Sequence, residues 1–282
     1  MLPNILGKVG TAHHTINMKT QQGINASILG LAAYPQTDAD CVQIAFNSGI
    51  NYFFFYDSDN DSFLEGLKKL LPQRDSLLVA TGSEARDINT LRQYLEQVRR
   101  RLNTDFIDIF FTEYVSTNDD INDTRAVFDE LESWKEQKLI RYIGASTHNR
   151  SIALKLIKDK ACDVLMLRYN MAHRKIEDDV LPAAYSSDIP VVAFTCTRWG
   201  SLLAGHPNWH FSPPEAADCY RYALHNQAVK LALTAPQSIS QLQENLSVLN
   251  APPLSLEEIQ QWQSYGALIY GTGQDAFDTQ WV

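Results

Sequence analysis

Short apolar runs alternate with amphipathic stretches along almost the whole chain. Eight runs stand out, at 28–31, 52–56, 77–81, 106–111, 140–145, 164–167, 191–194 and 229–233. They lack the every-second-residue polarity of a half-exposed sheet, so they predict strands buried on both faces, as in parallel sheets. Between them, apolar residues recur at helical spacing over 38–48, 62–71, 89–102, 123–137, 151–159, 180–185, 216–224 and 238–249. In the third of these, Leu91, Leu95, Val98 and Leu102 form one stripe while Arg92, Glu96, Arg99 and Arg100 face the other way. Asp38, Asn89 and Ser151 stand where N-caps are needed and Gly49 where a C-cap is. A ninth helix is expected after Ser255, with Glu258 completing a capping box. Eight strand–helix cycles without a Gly- or Pro-rich linker predict an α/β protein of one domain, a closed (β/α)8 (TIM) barrel over 1–282. Residues 1–27 are expected to cap the barrel bottom and 250–282 to form a C-terminal helix and tail. No G-x-G-x-x-G follows any run, which counts against a doubly wound dinucleotide fold.

Composition narrows the partners. With 45% hydrophobic residues the 282-residue chain can bury a large core, and 24 Lys and Arg against 33 Asp and Glu leave a net charge of −9. No basic stripe offsets that charge, so nucleic acid is not an expected partner. No run approaches the roughly 18 apolar residues of a membrane span, and Met1–Gly10 lacks the apolar core of a leader peptide. The expectation is a cytoplasmic monomer or homodimer acting on a small-molecule substrate. Cys41, Cys162, Cys196 and Cys219 are far apart and form no C-x-x-C pair, so neither a zinc site nor a disulfide framework is expected. Asp57 to Asp61 begins like a calcium loop, but Ser62 and Lys68 occupy the positions that need Gly and Glu. No metal is therefore expected.

Barrels of this kind carry their chemistry after the carboxyl ends of the strands. There the residues Gly49-Ile50-Asn51-Tyr52-Phe53, Leu102-Asn103-Thr104-Asp105-Phe106-Ile107-Asp108-Ile109, Lys138-Leu139-Ile140-Arg141-Tyr142-Ile143-Gly144-Ala145-Ser146, Arg168-Tyr169-Asn170 and Val192-Ala193-Phe194 follow one another. In order and interval this succession resembles the landmarks of the aldo-keto reductases, over roughly residues 24–262. The resemblance implies a barrel that binds NADP(H) across the strand ends and transfers hydride to or from a carbonyl. It also implies a catalytic tetrad of Asp, Tyr, Lys and His, but those positions fall on Phe54, Asp59, Gly82 and Glu113. The proton-donating machinery implied by the resemblance is replaced at all four.

The cofactor positions are better kept. Phe194 lies where the family stacks a ring on the nicotinamide, Ser146 and Thr147 where it holds the carboxamide, and Glu244 and Asn245 where it contacts the adenine. Arg198, after the seventh strand, is a candidate for the pyrophosphate. Met166 replaces a customary Gln, and Gln241 replaces the Arg that grips the 2′-phosphate, so the expected cofactor is NADP(H) or NAD(H), bound weakly or lost, with NAD(H) or loose binding favoured more than in the family at large. Arg168-Tyr169-Asn170-Met171-Ala172-His173-Arg174 and Thr197-Arg198-Trp199-Gly200 resemble a divergent subgroup without the tetrad.

For the proton, the candidates are Tyr56, the nearest phenol; Glu113, if desolvation raises its pKa or unless it pairs with a neighbour such as Arg168; and His148, directly after the fifth strand. Arg168 and Trp199 are the candidate substrate contacts. The expected function is an aldo-keto-reductase-like oxidoreductase with a degenerate active site, acting on a small carbonyl or alcohol. The alternative is a non-redox lyase or isomerase, or an inactive ligand- or partner-binding descendant.

Overall fold

The computed structural model describes residues 18–271, except 36, 57, 58 and 60. Strands β1 (Leu29–Ala32), β2 (Tyr52–Phe55), β3 (Leu78–Ser83), β4 (Ile107–Thr112), β5 (Ile140–Ser146), β6 (Val164–Arg168), β7 (Val191–Phe194) and β8 (Val229–Thr234) pair in parallel in sequence order and close on themselves. Each is followed by a helix: α1 (Ala39–Asn47), α2 (Asp61–Leu70), α3 (Ile88–Leu102), α4 (Ile121–Glu136), α5 (Arg150–Asp159), α6 (Val180–Ser186), α7 (Ala216–Leu224) and α8 (Ile239–Leu246). A ninth, α9 (Leu256–Tyr270), opens with the expected reciprocal bonds between Ser255 and Glu258. The single-domain barrel expected from the alternating pattern is the observed fold.

Two sets of apolar residues explain the closure. One packs the outer strand faces against the helices, and the other fills the barrel with alternate residues such as Tyr52, Phe54, Ile109, Phe111, Met166 and Leu231. The interior is a packed core, as the layered barrel requires. Phe111 lies flat against Gly144 of β5, where any Cβ would run into its ring. At the bottom, Met18 enters the same interior cluster. There the buried Asp108 accepts from the Val79 amide at 2.8 Å and pairs with Arg74 at 2.7 Å and Arg141 at 2.6 Å, so a fully buried charge is compensated.

Local signals were displaced in places. The cap of α3 is Asp87, whose carboxylate accepts from the Thr90 amide at 2.8 Å, rather than Asn89; the cap of α5 is Asn149 rather than Ser151. In both cases the residue with extended backbone just before the first turn takes the cap, as the geometry demands. Strands β3, β5 and β6 also run beyond their apolar runs to Ser83, Ser146 and Arg168. Ladder bonds are made by the backbone, so polar residues continue the strand where it reaches the mouth. The predicted tail beyond 271, and residues 1–17 of the N-terminal cap, lie outside the described residues.

Candidate active site

The carboxyl ends of the strands bring together Glu113, Tyr114, His148, Phe194 and Arg168. Glu113, in the turn directly after β4, continues the inward series of Ile109 and Phe111 and is only 4% exposed. Its backbone is fixed on both sides: its amide donates to Ser83 O at 2.9 Å, and its carbonyl accepts from Arg86 Nη2 at 3.0 Å. The side chain lies over Gly82 of β3, and a Cβ at that position would collide with Oε1. Oε1 has no hydrogen-bond partner. Burial, reinforced by the nearby Glu84, pushes the Glu113 carboxyl up to about 8. A carboxyl so placed is mainly protonated at neutral pH. The ion pair with Arg168 anticipated as one option for Glu113 is not formed, and the charge that acts on Glu113 is that of Glu84.

Tyr114 was not singled out from the sequence. Its backbone is left-handed, with φ 51°, and its amide donates to Ser146 Oγ at 2.9 Å. The turn lays its ring parallel to His148, with centroids 5.1 Å apart and planes 12° apart. Burial first, then Glu113, Glu84 and Tyr56, push the Tyr114 phenol up to about 12. His148 in turn meets Phe194 edge-on at 5.8 Å. Burial and the charge of Arg168 bring His148 down to about 4, so it is a neutral imidazole at physiological pH.

The remaining candidates divide by what they touch. Tyr56 is 51% exposed at the rim beside Tyr114. Phe54 is buried, edge-on to Phe111 at 6.0 Å. Asp59 is exposed and pairs with Arg101 of α3 at 3.6 Å, on the outside of the barrel. Thr147 Oγ1 donates to Val115 O at 2.6 Å and accepts from Asn149 N at 3.0 Å. Together with the bond from Tyr114 to Ser146, this ties the loop after β4 to the loop after β5. Phe194 is half-buried and pairs in register with Arg168, which is 1% exposed. Arg198 donates to Ile269 O at 3.1 Å and Trp199 is 59% exposed, both in left-handed backbone. On α8, Glu244 is exposed, whereas Asn245 is buried and donates to Thr234 Oγ1 at 2.8 Å. Among the described residues no helix is long and apolar enough to cross a membrane.

Residues 32–209 match the Aldo/keto reductase family. The chain is 25% identical to the L-galactose dehydrogenase of Arabidopsis thaliana, over 80% of this chain and 83% of that protein. It is also 25% identical to the uncharacterized oxidoreductase YqkF of Bacillus subtilis, over 78% and 85%. Among solved structures, the holo form of the aldo-keto reductase AKR11C1 from Bacillus halodurans superimposes with a TM-score of 0.74 at 20% identity, covering 93% of this chain and all of that one. An aldo-keto reductase from Klebsiella pneumoniae in complex with NADPH gives 0.73 at 16% identity, covering 89% and 95%.

Proposed function

Because the chain belongs to the aldo/keto reductase family, we propose that it is an oxidoreductase of a small carbonyl or alcohol compound, with NADP(H) or NAD(H), in which Glu113 takes over the proton. The observation that carries this reading is the buried carboxyl of Glu113, with Oε1 unpartnered, over the bare backbone of Gly82.

The mouth fits a nicotinamide at its ring end. Phe194 offers a half-buried ring, and Ser146 Oγ accepts from Tyr114 while keeping its own proton to donate. The adenine end is less specific. Glu244 is exposed, the Asn245 amide nitrogen is committed to Thr234, and Gln241 brings no cation to a 2′-phosphate. Phe194, Ser146, Arg198 and Glu244 would hold the cofactor, with little discrimination between NADP(H) and NAD(H); the NADPH bound in the Klebsiella pneumoniae relative supports the phosphorylated form. A nicotinamide bound there supplies or accepts the hydride.

The residues of this chain handle the proton. Phe54 and Gly82, where the family pattern expects Asp and Lys, carry no charge that would lower a phenol's pKa. Tyr114, at about 12, keeps its proton through the neutral range and is a poor donor. Glu113, at about 8, is protonated at neutrality and is the better-matched acid for a carbonyl oxygen. His148, neutral, orients that oxygen by a hydrogen bond without competing for the proton. Replacing a general acid costs about 100- to 10,000-fold in rate. Glu113→Gln is therefore expected to lower kcat/KM on a panel of small aldehydes by that factor, with cofactor binding, read from nicotinamide fluorescence, retained. A rate within a few-fold of the parent would remove Glu113 from the chemistry. No binding of either cofactor at millimolar concentration would remove the redox reading in favour of a non-redox or binding descendant.

A further inference from the structure

The loop after β3 and the turn after β4 are held together by one side chain. Arg86, between β3 and α3, is largely enclosed, with 16% of its side chain exposed. Its Nη2 donates to Glu113 O at 3.0 Å and to Asp119 Oδ2 at 2.8 Å. Its Nη1 donates to Glu84 O at 2.9 Å and Ala85 O at 3.4 Å, and its Nε to Asp119 Oδ2 at 3.2 Å. Asp119 Oδ2 also accepts from the Ser116 amide at 2.9 Å, so the far end of this clasp is itself anchored. One planar guanidinium thus spans two rim loops, a reach that the single nitrogen of a Lys could not reproduce.

What the clasp holds is the seat of the acid. The Glu113 amide is tied to Ser83 O and its carbonyl to Arg86, and between these two fixed points the side chain lies over Gly82. Releasing the carbonyl would free the turn and let the carboxyl reach water. Arg86 also brings a charge, and a bare guanidinium beside Glu113 would favour its carboxylate. Asp119 cancels that field, so burial and Glu84 remain the influences on the Glu113 carboxyl. The other titratable groups around it are Glu84 in the loop after β3, Tyr114 next to it and, against Tyr114, Tyr56 and His148. None of these brings a positive charge at neutral pH, His148 being a neutral imidazole.

Resting on the assignment of Glu113 as the acid, we infer that Arg86 is a positioning residue for the proton step: with Asp119 it forms a charge-neutral clasp that fixes the Glu113 turn over Gly82 and keeps the carboxyl out of water. Arg86 acts through the backbone of Glu113 and through the loop that carries Glu84.

Two variants of the full chain separate the clasp from its charge. Asp119→Asn keeps an oxygen for Arg86 and for the Ser116 amide but leaves the guanidinium unneutralised. Arg86→Met combined with Asp119→Asn removes the clasp with no change in net charge. The protonation of Glu113 is followed by the infrared C=O stretch of its protonated carboxyl, a band that Glu113→Gln identifies by its loss. In Asp119→Asn the band is expected to titrate at least about one pH unit lower than in the parent. The alkaline limb of kcat/KM on the aldehyde panel moves with it, while the rate on the acid side stays within a few-fold of the parent. In the double variant the band also titrates lower, and kcat falls at least about tenfold at every pH with KM and cofactor binding retained, because the acid is misplaced. A clasp that only stabilised the loops would lower Tm and move neither the band nor the limb. The inference is overturned if band and limb stay in place in Asp119→Asn, or if the double variant keeps the parent's kcat and band. Asp119→Asn, the milder change, decides alone should the double variant not fold. A band that moves as expected in a protein whose Glu113→Gln variant turns over like the parent supports the clasp and sinks only the assignment of Glu113 as the acid.

Discussion

Replacing Glu113 by Gln makes the protonation of this residue visible as stability. A carboxyl that titrates near 8 in the folded chain and at 4.5 in the unfolded chain leaves the folded state holding the extra proton throughout that interval. Stability then falls as pH rises, by about 1.4 kcal/mol per pH unit, and levels off above the folded value at a total loss of about 5 kcal/mol. Below 4.5 both states hold the proton and nothing is lost. Glu113→Gln removes this titration; ionisable groups not coupled to Glu113 are shared by the two proteins and cancel, and Tyr114, which Glu113 helps to raise, titrates above this interval. The expected result is that the variant gains on the parent between pH 5 and 9, by an amount on the order of 10 °C in Tm for a chain of this size. Urea unfolding followed by circular dichroism at pH 5, 7 and 9 measures the difference directly. Parallel stability curves for the two proteins would refute the claim that this carboxyl is buried without compensation. The same series bears on the proposed chemistry, because the rate should fall as pH passes about 8 and the acid is lost.

Further outcomes follow from other contacts. Phe194→Ala is expected to weaken nicotinamide binding at least about tenfold in a fluorescence titration, because the stacking surface is removed. NADPH and NADH should bind within about tenfold of each other, since Gln241 offers the 2′-phosphate no cation. Gly266→Ala should destabilise by about 1–3 kcal/mol, read by thermal denaturation, because its methyl would meet the Met171 carbonyl and push α9 from the loop. Phe111→Ala, which empties the barrel interior against Gly144, should cost about 3–5 kcal/mol in the same assay.

The barrel was legible because strands buried on both faces announce themselves as apolar runs, and eight such runs interleaved with helical stripes admit few other architectures. Their last residues were not legible: Ser83, Ser146 and Arg168 belong to strands by backbone bonding, which their side chains do not report. The site was legible where position alone marks it, as with Glu113, His148 and Phe194 at strand ends. Tyr114 escaped because its place depends on a left-handed turn and on an acceptor 32 residues away, Ser146 Oγ. Asp59 illustrates the converse, since an alignment position says nothing of direction and its carboxylate turns outward to α3.

The two hydroxyls that follow one another at the end of β5 have a consequence for engineering this scaffold. Ser146 holds the backbone at Tyr114 and Thr147 holds the Val115 carbonyl, so the fourth and fifth rim loops are a single mechanical part. Because the fourth loop brings only its backbone to both bonds, a chimera that imports the fifth loop from a relative without these hydroxyls would sever both tethers and release the aromatic wall they position. Swapping residues 113–120 and 146–149 together is the unit of exchange the scaffold accepts.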